Sequence, residues 1–197
     1  VKGETLIEGQ RIKVYLVDVR RQSRGPQVVI SRTHPGLVKR LFELEVPEIY
    51  DGTVEIRSIA REAGSRTKMA VWSNDENVDP IGACVGPHGQ RVNSIVDELR
   101  GEKIDIINWS DNPAILIENA LSPAKVISVI ADDDEKTAKV IVPDYQLSLA
   151  IGKEGQNARL AARLTTYKID IKSETQAREL GPVSYTHLRA HETAANL

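Results

Sequence analysis

Gly86-Pro87-His88-Gly89-Gln90 and Gly152-Lys153-Glu154-Gly155-Gln156 are two copies of one pattern, Gly-x-x-Gly-Gln, each followed by the tetrapeptide Lys-Ile-Asp-Ile, at 103–106 and at 168–171. The spacing from loop to tetrapeptide differs by one residue between the copies. One Gly-x-x-Gly carries little information, since a chain with this glycine content holds about one by chance. The shared flanks change that. An apolar stretch precedes each loop, Ile81-Gly82-Ala83-Cys84-Val85 and Leu147-Ser148-Leu149-Ala150-Ile151. Helical spacing follows: Val92, Ile95, Val96 and Leu99 in the first copy, Ala158, Ala161, Ala162 and Thr165 in the second, with Leu160 and Leu164 adding apolar bulk. The alternating Ile-Asp-Ile then predicts a half-buried strand. A Gly-x-x-Gly turn between two helices can clamp a nucleic-acid backbone, and two in tandem can hold one strand. The plainer alternative is a duplicated α/β unit whose glycines only make tight turns.

Outward from the loops, the repeat extends to whole units. Pro35-Gly36 opens a helix from Leu37 to about Leu44, and Pro47 interrupts it. Strands are predicted over 53–61 and 67–72, around the turn Glu62-Ala63-Gly64-Ser65. A helix over 79–85, the loop, a helix from Gln90 and the strand 103–108 complete the order α-β-β-α-α-β. The second unit repeats it: a helix over 113–120, strands 125–131 and 136–142 around the acidic turn Asp132-Asp133-Asp134-Glu135, a helix opened by Pro143 and Asp144, the loop, a helix and the strand 168–172. The units meet around Ser110-Asp111 without a flexible linker and are expected to pack as one body. Ahead of them, alternation over 11–19, the turn Ser23-Arg24-Gly25-Pro26 and the strand 27–31 predict a β-hairpin, too small to close a core. It reads as the tail end of an antiparallel barrel whose first strands lie upstream. Residues 181–197 have no place in the repeat and read as a non-native tail of vector or read-through origin, in which the spacing of His187 and His191 carries no metal site.

A chain of 197 residues with 41% apolar residues suits two small domains and part of a third. No apolar run approaches the roughly 20 residues of a membrane span. Cys84 is the single cysteine, so an internal disulfide is impossible; it reads as a small buried hydrophobe, with a reactive thiol as the lesser reading. A net charge of −2 is not the footprint of a strong non-specific nucleic-acid binder. The charge is uneven, however: Lys2, Arg11, Lys13, Arg20, Arg21, Arg24, Arg32, Lys39 and Arg40 make the beginning basic. Salt-dependent but modest binding is the expectation. Trp72, Trp109, Tyr145 and Tyr167 are too scattered for a strand-borne base-stacking platform. Gly152-Lys153 lacks the spacing and the Ser or Thr of a nucleotide-binding phosphate loop. No nucleophile–base constellation or paired metal ligands are placed by the repeat, so no catalytic residue, metal or cofactor is expected.

The α-β-β-α-α-β order with Gly-x-x-Gly between the central helices resembles the type II (prokaryotic) KH domain. The strings from Ile81 to Val92 and from Leu149 to Arg159, with the hairpin and the junction Ser31-Arg32-Thr33-His34-Pro35-Gly36, are similar to the NusA family of bacterial transcription termination/antitermination factors, over about residues 1–180. The resemblance implies an α+β fold: two tandem type II KH domains, 35–110 and 111–180, preceded at 1–34 by the C-terminal strands of an OB-fold β-barrel. It implies that most of the barrel and a polymerase-binding domain lie outside this chain. The turn Thr165-Thr166-Tyr167 departs from the pattern, because the first copy has Gly101 there.

What the resemblance implies for function is single-stranded RNA binding. A KH loop lies over the backbone of about four unpaired nucleotides. Gly86, Gly89, Gly152 and Gly155 permit close approach. Gln90 and Gln156 open helices whose amide ends favour phosphate. Lys153 adds a fixed charge and His88 a pH-dependent one. Arg91, Asn157 and Arg159 lie within a turn of the loops. Ile81, Val85 and Ile151 line the groove for bases. Pro87 and Glu154 are atypical clamp residues, so the two loops need not be equally competent. The implied partners are nascent RNA, RNA polymerase and other elongation and antitermination factors, in the cytoplasm and away from membranes. A non-enzymatic protein-docking adaptor, silent toward RNA, is the alternative.

Overall fold

The computed structural model describes residues 1 and 3–180. Residues 181–197, including His187 and His191, lie outside the described residues.

The chain opens with the antiparallel hairpin β1 (Tyr15–Gln22) and β2 (Gly25–Ser31), a sheet of its own. Pairing starts at Tyr15 rather than at the expected Arg11, because other groups claim the backbone there. The Lys13 amide donates to Glu98 and its carbonyl accepts from Arg32. Arg32 also donates to the Glu98 carbonyl at 2.9 Å and to Glu4 at 2.5 Å, tying the hairpin to the first unit.

That unit begins with α1 (Pro35–Glu45), capped by the His34 ring, which accepts from the Gly36 amide at 2.9 Å while Tyr15 stacks on it. A four-residue turn, α2 (Pro47–Tyr50), forms where Pro47 ends α1. Strands β3 (Val54–Glu62) and β4 (Arg66–Ser73) pair antiparallel. Helices α3 (Pro80–Val85) and α4 (Gln90–Glu98) flank the loop, and β5 (Lys103–Asn108) returns parallel to β4. A parallel return needs a crossover, and α3–loop–α4 supplies it.

The second unit has α5 (Pro113–Ala120), β6 (Ser128–Asp132), β7 (Thr137–Val142), α6 (Leu147–Ile151), α7 (Gln156–Thr165) and β8 (Lys168–Ser173), with the strand order β6-β7-β8 matching β3-β4-β5. Three features differ from expectation by more than one residue. Strand β6 starts three residues later than Lys125, whose amide is taken by Gln146. Asp144 opens a 3-10 turn ahead of α6 and bonds Thr175 through both its carboxylate oxygens. Thr175 lies in an additional helix, α8 (Glu174–Glu179), announced by the capping box Ser173/Gln176. Thr166 fills the left-handed position at the end of α7, φ 65°, completing the turn that lacks a glycine.

The sheet of the first unit is covered on both faces. Met69 and Val71 face the unit's own core with Leu37, Phe42, Cys84 and Ile95. Ala60, Ala70 and Ile107 on the other face join a core with Ile117, Leu121, Leu160 and Leu164 of the second unit. Strand β4 is therefore buried at five successive residues, 67–71. The extra leucines of α7 fall where α4 has Ser94 and Glu98, since only α7 has a sheet on either side. Lys68 is buried in this seam, donating to the Ser122 carbonyl at 2.6 Å beside Asp105 at 3.4 Å. Burial holds its pKa below the usual lysine value, against the pull of Asp105.

Candidate nucleic-acid interface

The two loops have the same backbone. Gly86 and Gly152 have φ/ψ of 73°/173° and 78°/170°. His88 and Glu154 both take the left-handed region, at 53°/26° and 53°/27°. Gly89 and Gly155 follow at 73°/12° and 74°/14°. Four unlike side chains between the glycines thus sit on one conformation, set by the glycines and the helices they join.

The glycines divide into two kinds. A Cβ on Gly152 would lie 2.7 Å from the Asn157 amide nitrogen, and one on Gly86 2.6 Å from the Arg91 side chain. These glycines let the chain pass close under the following helix. A Cβ on Gly155 meets nothing nearer than Arg159 at 3.9 Å. The second glycine of this loop faces open space, where a ligand backbone would approach.

The structure turns two of the expected residues inward. Arg91 donates to the Ala83 carbonyl at 2.7 Å and to Glu48 at 2.8 Å. Asn157, in the matching position and 7% exposed, donates to the Ala150 and Leu121 carbonyls. Each braces its loop against the preceding helices. Pro87, His88, Gln90, Lys153 and Glu154 are exposed. Lys153 makes no ion pair or side-chain hydrogen bond among the described residues, so its charge is open to solvent. Apolar residues stand beside each loop. In the first unit Ile81 and Val85 of α3 are half-buried near β5; in the second, Ile151 and Leu149 are exposed on α6 near β8.

Gln156 and Arg159 reach across to the first unit. Gln156 donates to Glu62 at 2.9 Å and to the Ser65 hydroxyl at 2.7 Å. Arg159 holds both oxygens of Glu62, at 2.5 and 3.1 Å, and also donates to the Glu154 carbonyl. Arg163 lies 3.5 Å from the same carboxylate. Glu62 and Ser65 flank the β3–β4 turn, and the Ser65 carbonyl accepts from the amide of Lys103 at the start of β5. The second loop is thereby seated on the first unit's sheet. The local sequence held no sign of this, because Glu62 lies over ninety positions from its partners.

The hydrogen bond from Arg159, then that from Gln156 and the surrounding cations, lower the Glu62 pKa to about 2. A carboxylate depressed in the folded state stabilises it fully above the ordinary carboxylate pKa. That contribution is lost as pH falls through about 2. We therefore expect acid titration to loosen the seam, seen as a rise in Trp72 and Trp109 fluorescence change between the ordinary carboxylate range and this value. A Glu62→Gln chain showing the same acid transition would show that Glu62 is not its source.

Among the described residues no helix is long and apolar enough to cross a membrane, and no cluster of metal-ligating side chains occurs.

Two α-β-β-α-α-β units, each with a glycine loop between its central helices and a parallel returning strand, define a tandem KH-domain protein. Comparison with known proteins agrees. Residues 32–109 match the model of the NusA-like first KH domain, and 113–179 that of the NusA-like second KH domain. The transcription termination/antitermination protein NusA of Bacillus subtilis is 68% identical over 171 residues, covering 87% of this chain and 46% of the relative. The protein of the same name from Thermus thermophilus is 54% identical over 161 residues, covering 82% and 42%. The crystal structure of APE1850 superposes with a TM-score of 0.51 at 21% identity, covering 68% of this chain and 95% of that one, a likeness of fold. The chain belongs to the NusA family. It spans about half the length of the curated relatives it matches.

Proposed function

We propose that this chain binds single-stranded RNA in two adjoining KH clefts, as part of a non-enzymatic, cytoplasmic factor acting on nascent RNA in transcription termination and antitermination. The observation that carries the reading is the pair of loops with one backbone conformation, the second seated beside the start of the first unit's β5. In each cleft the open side of the loop approaches the sugar–phosphate backbone. Gly155 leaves open space for it, Gly89 leaves the room that a Cβ would take against Asn93, and the uncapped N-termini of α4 and α7 favour its charge. His88, Gln90 and Lys153 are the polar side chains free to meet it. Bases lie along Ile81 and Val85 in the first unit and along Ile151 and Leu149 in the second. A strand leaving the first cleft passes Lys103 and Ser65 and arrives at the second loop. In this reading residues 1–34 are the closing strands of an OB-type barrel, and RNA polymerase and elongation factors are the protein partners.

The test is a fluorescence-anisotropy titration with a labelled, unpaired RNA of about a dozen nucleotides, the span of two clefts. Replacing Pro87 and His88, or Lys153 and Glu154, with aspartates puts two negative charges where phosphate lies. Either replacement should weaken binding about tenfold or more, with circular dichroism unchanged and the salt dependence reduced. Binding indifferent to both replacements, by folded chains, would leave the protein-docking adaptor as the function.

A further inference from the structure

In the second unit a carboxylate occupies the side chains that the clamp would use. Arg159 presents its guanidinium fork to both oxygens of Glu62, and Gln156 adds a third hydrogen bond. Guanidinium and amide N–H groups converging on paired oxygens are equally a donor set for a phosphate. The place is right as well. The same guanidinium donates to the Glu154 carbonyl at 3.0 Å, so it lies against the loop, and its side chain is 41% exposed. The first unit has nothing comparable: Asn93 stands where the second has Arg159, and Gln90 makes no side-chain hydrogen bond among the described residues.

We infer that Glu62 acts as an internal phosphate mimic, holding Arg159 and Gln156 away from RNA and so setting how tightly the second loop grips. This rests on the RNA-binding reading above. A guanidinium already paired with a carboxylate releases no counterion when RNA arrives. Without Glu62 the second cleft has one more phosphate contact. The first unit, through the last residue of its β3, thus determines the affinity of its neighbour, and an RNA that displaces Glu62 trades a contact between domains for one with its own phosphate.

The experiment compares Glu62→Gln, Arg159→Gln and the double variant with the parent chain, using the same unpaired RNA of about a dozen nucleotides over a series of salt concentrations. Glu62→Gln should bind about three- to tenfold more tightly, and the slope of log affinity against log salt should steepen by about 0.7, one added phosphate on a single strand. Arg159→Gln alone should keep the parent's slope. The double variant should return within about twofold of the parent, since the gain runs through the freed guanidinium. Glu62→Ala, which sets no amide against the Gln156 donors, reads the same effect if Glu62→Gln folds poorly. A parent that binds while Glu62→Gln and Glu62→Ala bind no tighter, or a gain that survives Arg159→Gln, overturns the inference and leaves RNA binding standing. Failure of every chain to bind removes both.

Discussion

Glu102→Ala should be among the most destabilising single changes in this chain, costing about 3–5 kcal/mol. Glu102 and Arg61 are paired with side chains 0% and 1% exposed. Both Glu102 oxygens accept from Arg61 Nε at 3.1 Å, and one also takes the Gly64 amide at 2.8 Å. Arg61 in turn donates to the His34 carbonyl at 2.9 Å. One buried pair thus binds the end of β3, the β3–β4 turn, the residue before β5 and the start of α1. Truncation leaves a guanidinium enclosed without its counter-charge, which costs more than the pair's own net contribution. Urea unfolding followed by tryptophan fluorescence measures it, with a melting temperature lower by roughly 10 °C. Replacing both residues with methionine should recover part of the loss, because an apolar pair of similar volume buries no charge, while the Gly64 amide and the His34 carbonyl still lose their partners. A loss under about 1 kcal/mol for Glu102→Ala would mean that water reaches the pair.

Gly152→Ala carries the second large effect, and its contrast with Gly155→Ala separates folding from binding. Gly152 has φ 78° and ψ 170°, a region essentially closed to other residues. Strain of about 1–3 kcal/mol adds to a clash with backbone, since the nearest atom to the new Cβ is the Asn157 nitrogen at 2.7 Å. Backbone at the start of α7 cannot swing aside as a side chain can. The expected loss is about 3 kcal/mol or more. Gly155→Ala meets only the left-handed penalty of about 1–2 kcal/mol at φ 74°, with open space around the methyl. Gly155→Ala should therefore stay folded and weaken RNA binding, whereas Gly152→Ala should lose structure in the second unit first. Gly86→Ala falls between them, because the methyl meets the flexible Arg91 side chain. Equal stability losses at 152 and 155 would show that the two glycines do the same work.

Much of this was legible beforehand, for local reasons. The spans of β5 and α5 match their expected residues, since alternation in one and an Asn-Pro start in the other are complete within the segment. Helix α8 is not legible in the apolar pattern, although Ser173 and Gln176 stand at capping-box spacing, because its only buried residue is Ala177. Alternation places the first strand at 11–19 rather than at Tyr15–Gln22, because it records which face a residue presents, not where a partner strand is free to pair.

The candidate site divides the same way. Its loops were found from spacing, and the shared glycines account for their common backbone. The fates of Arg91, Asn157 and Arg159 were not legible, because a polar side chain near a loop reads the same whether it faces solvent, a helix end or another domain. Glu48, the Leu121 carbonyl and Glu62 lie far off in sequence, and only packing decides who meets them. The sequence by itself determined the repeated unit, the glycine loops and the family, because turn chemistry and hydrophobic period act over a few residues. Only the tertiary structure decided that the first sheet is covered on both faces and that Glu62 holds Arg159, because those depend on which surfaces come together once the two units bury their apolar area.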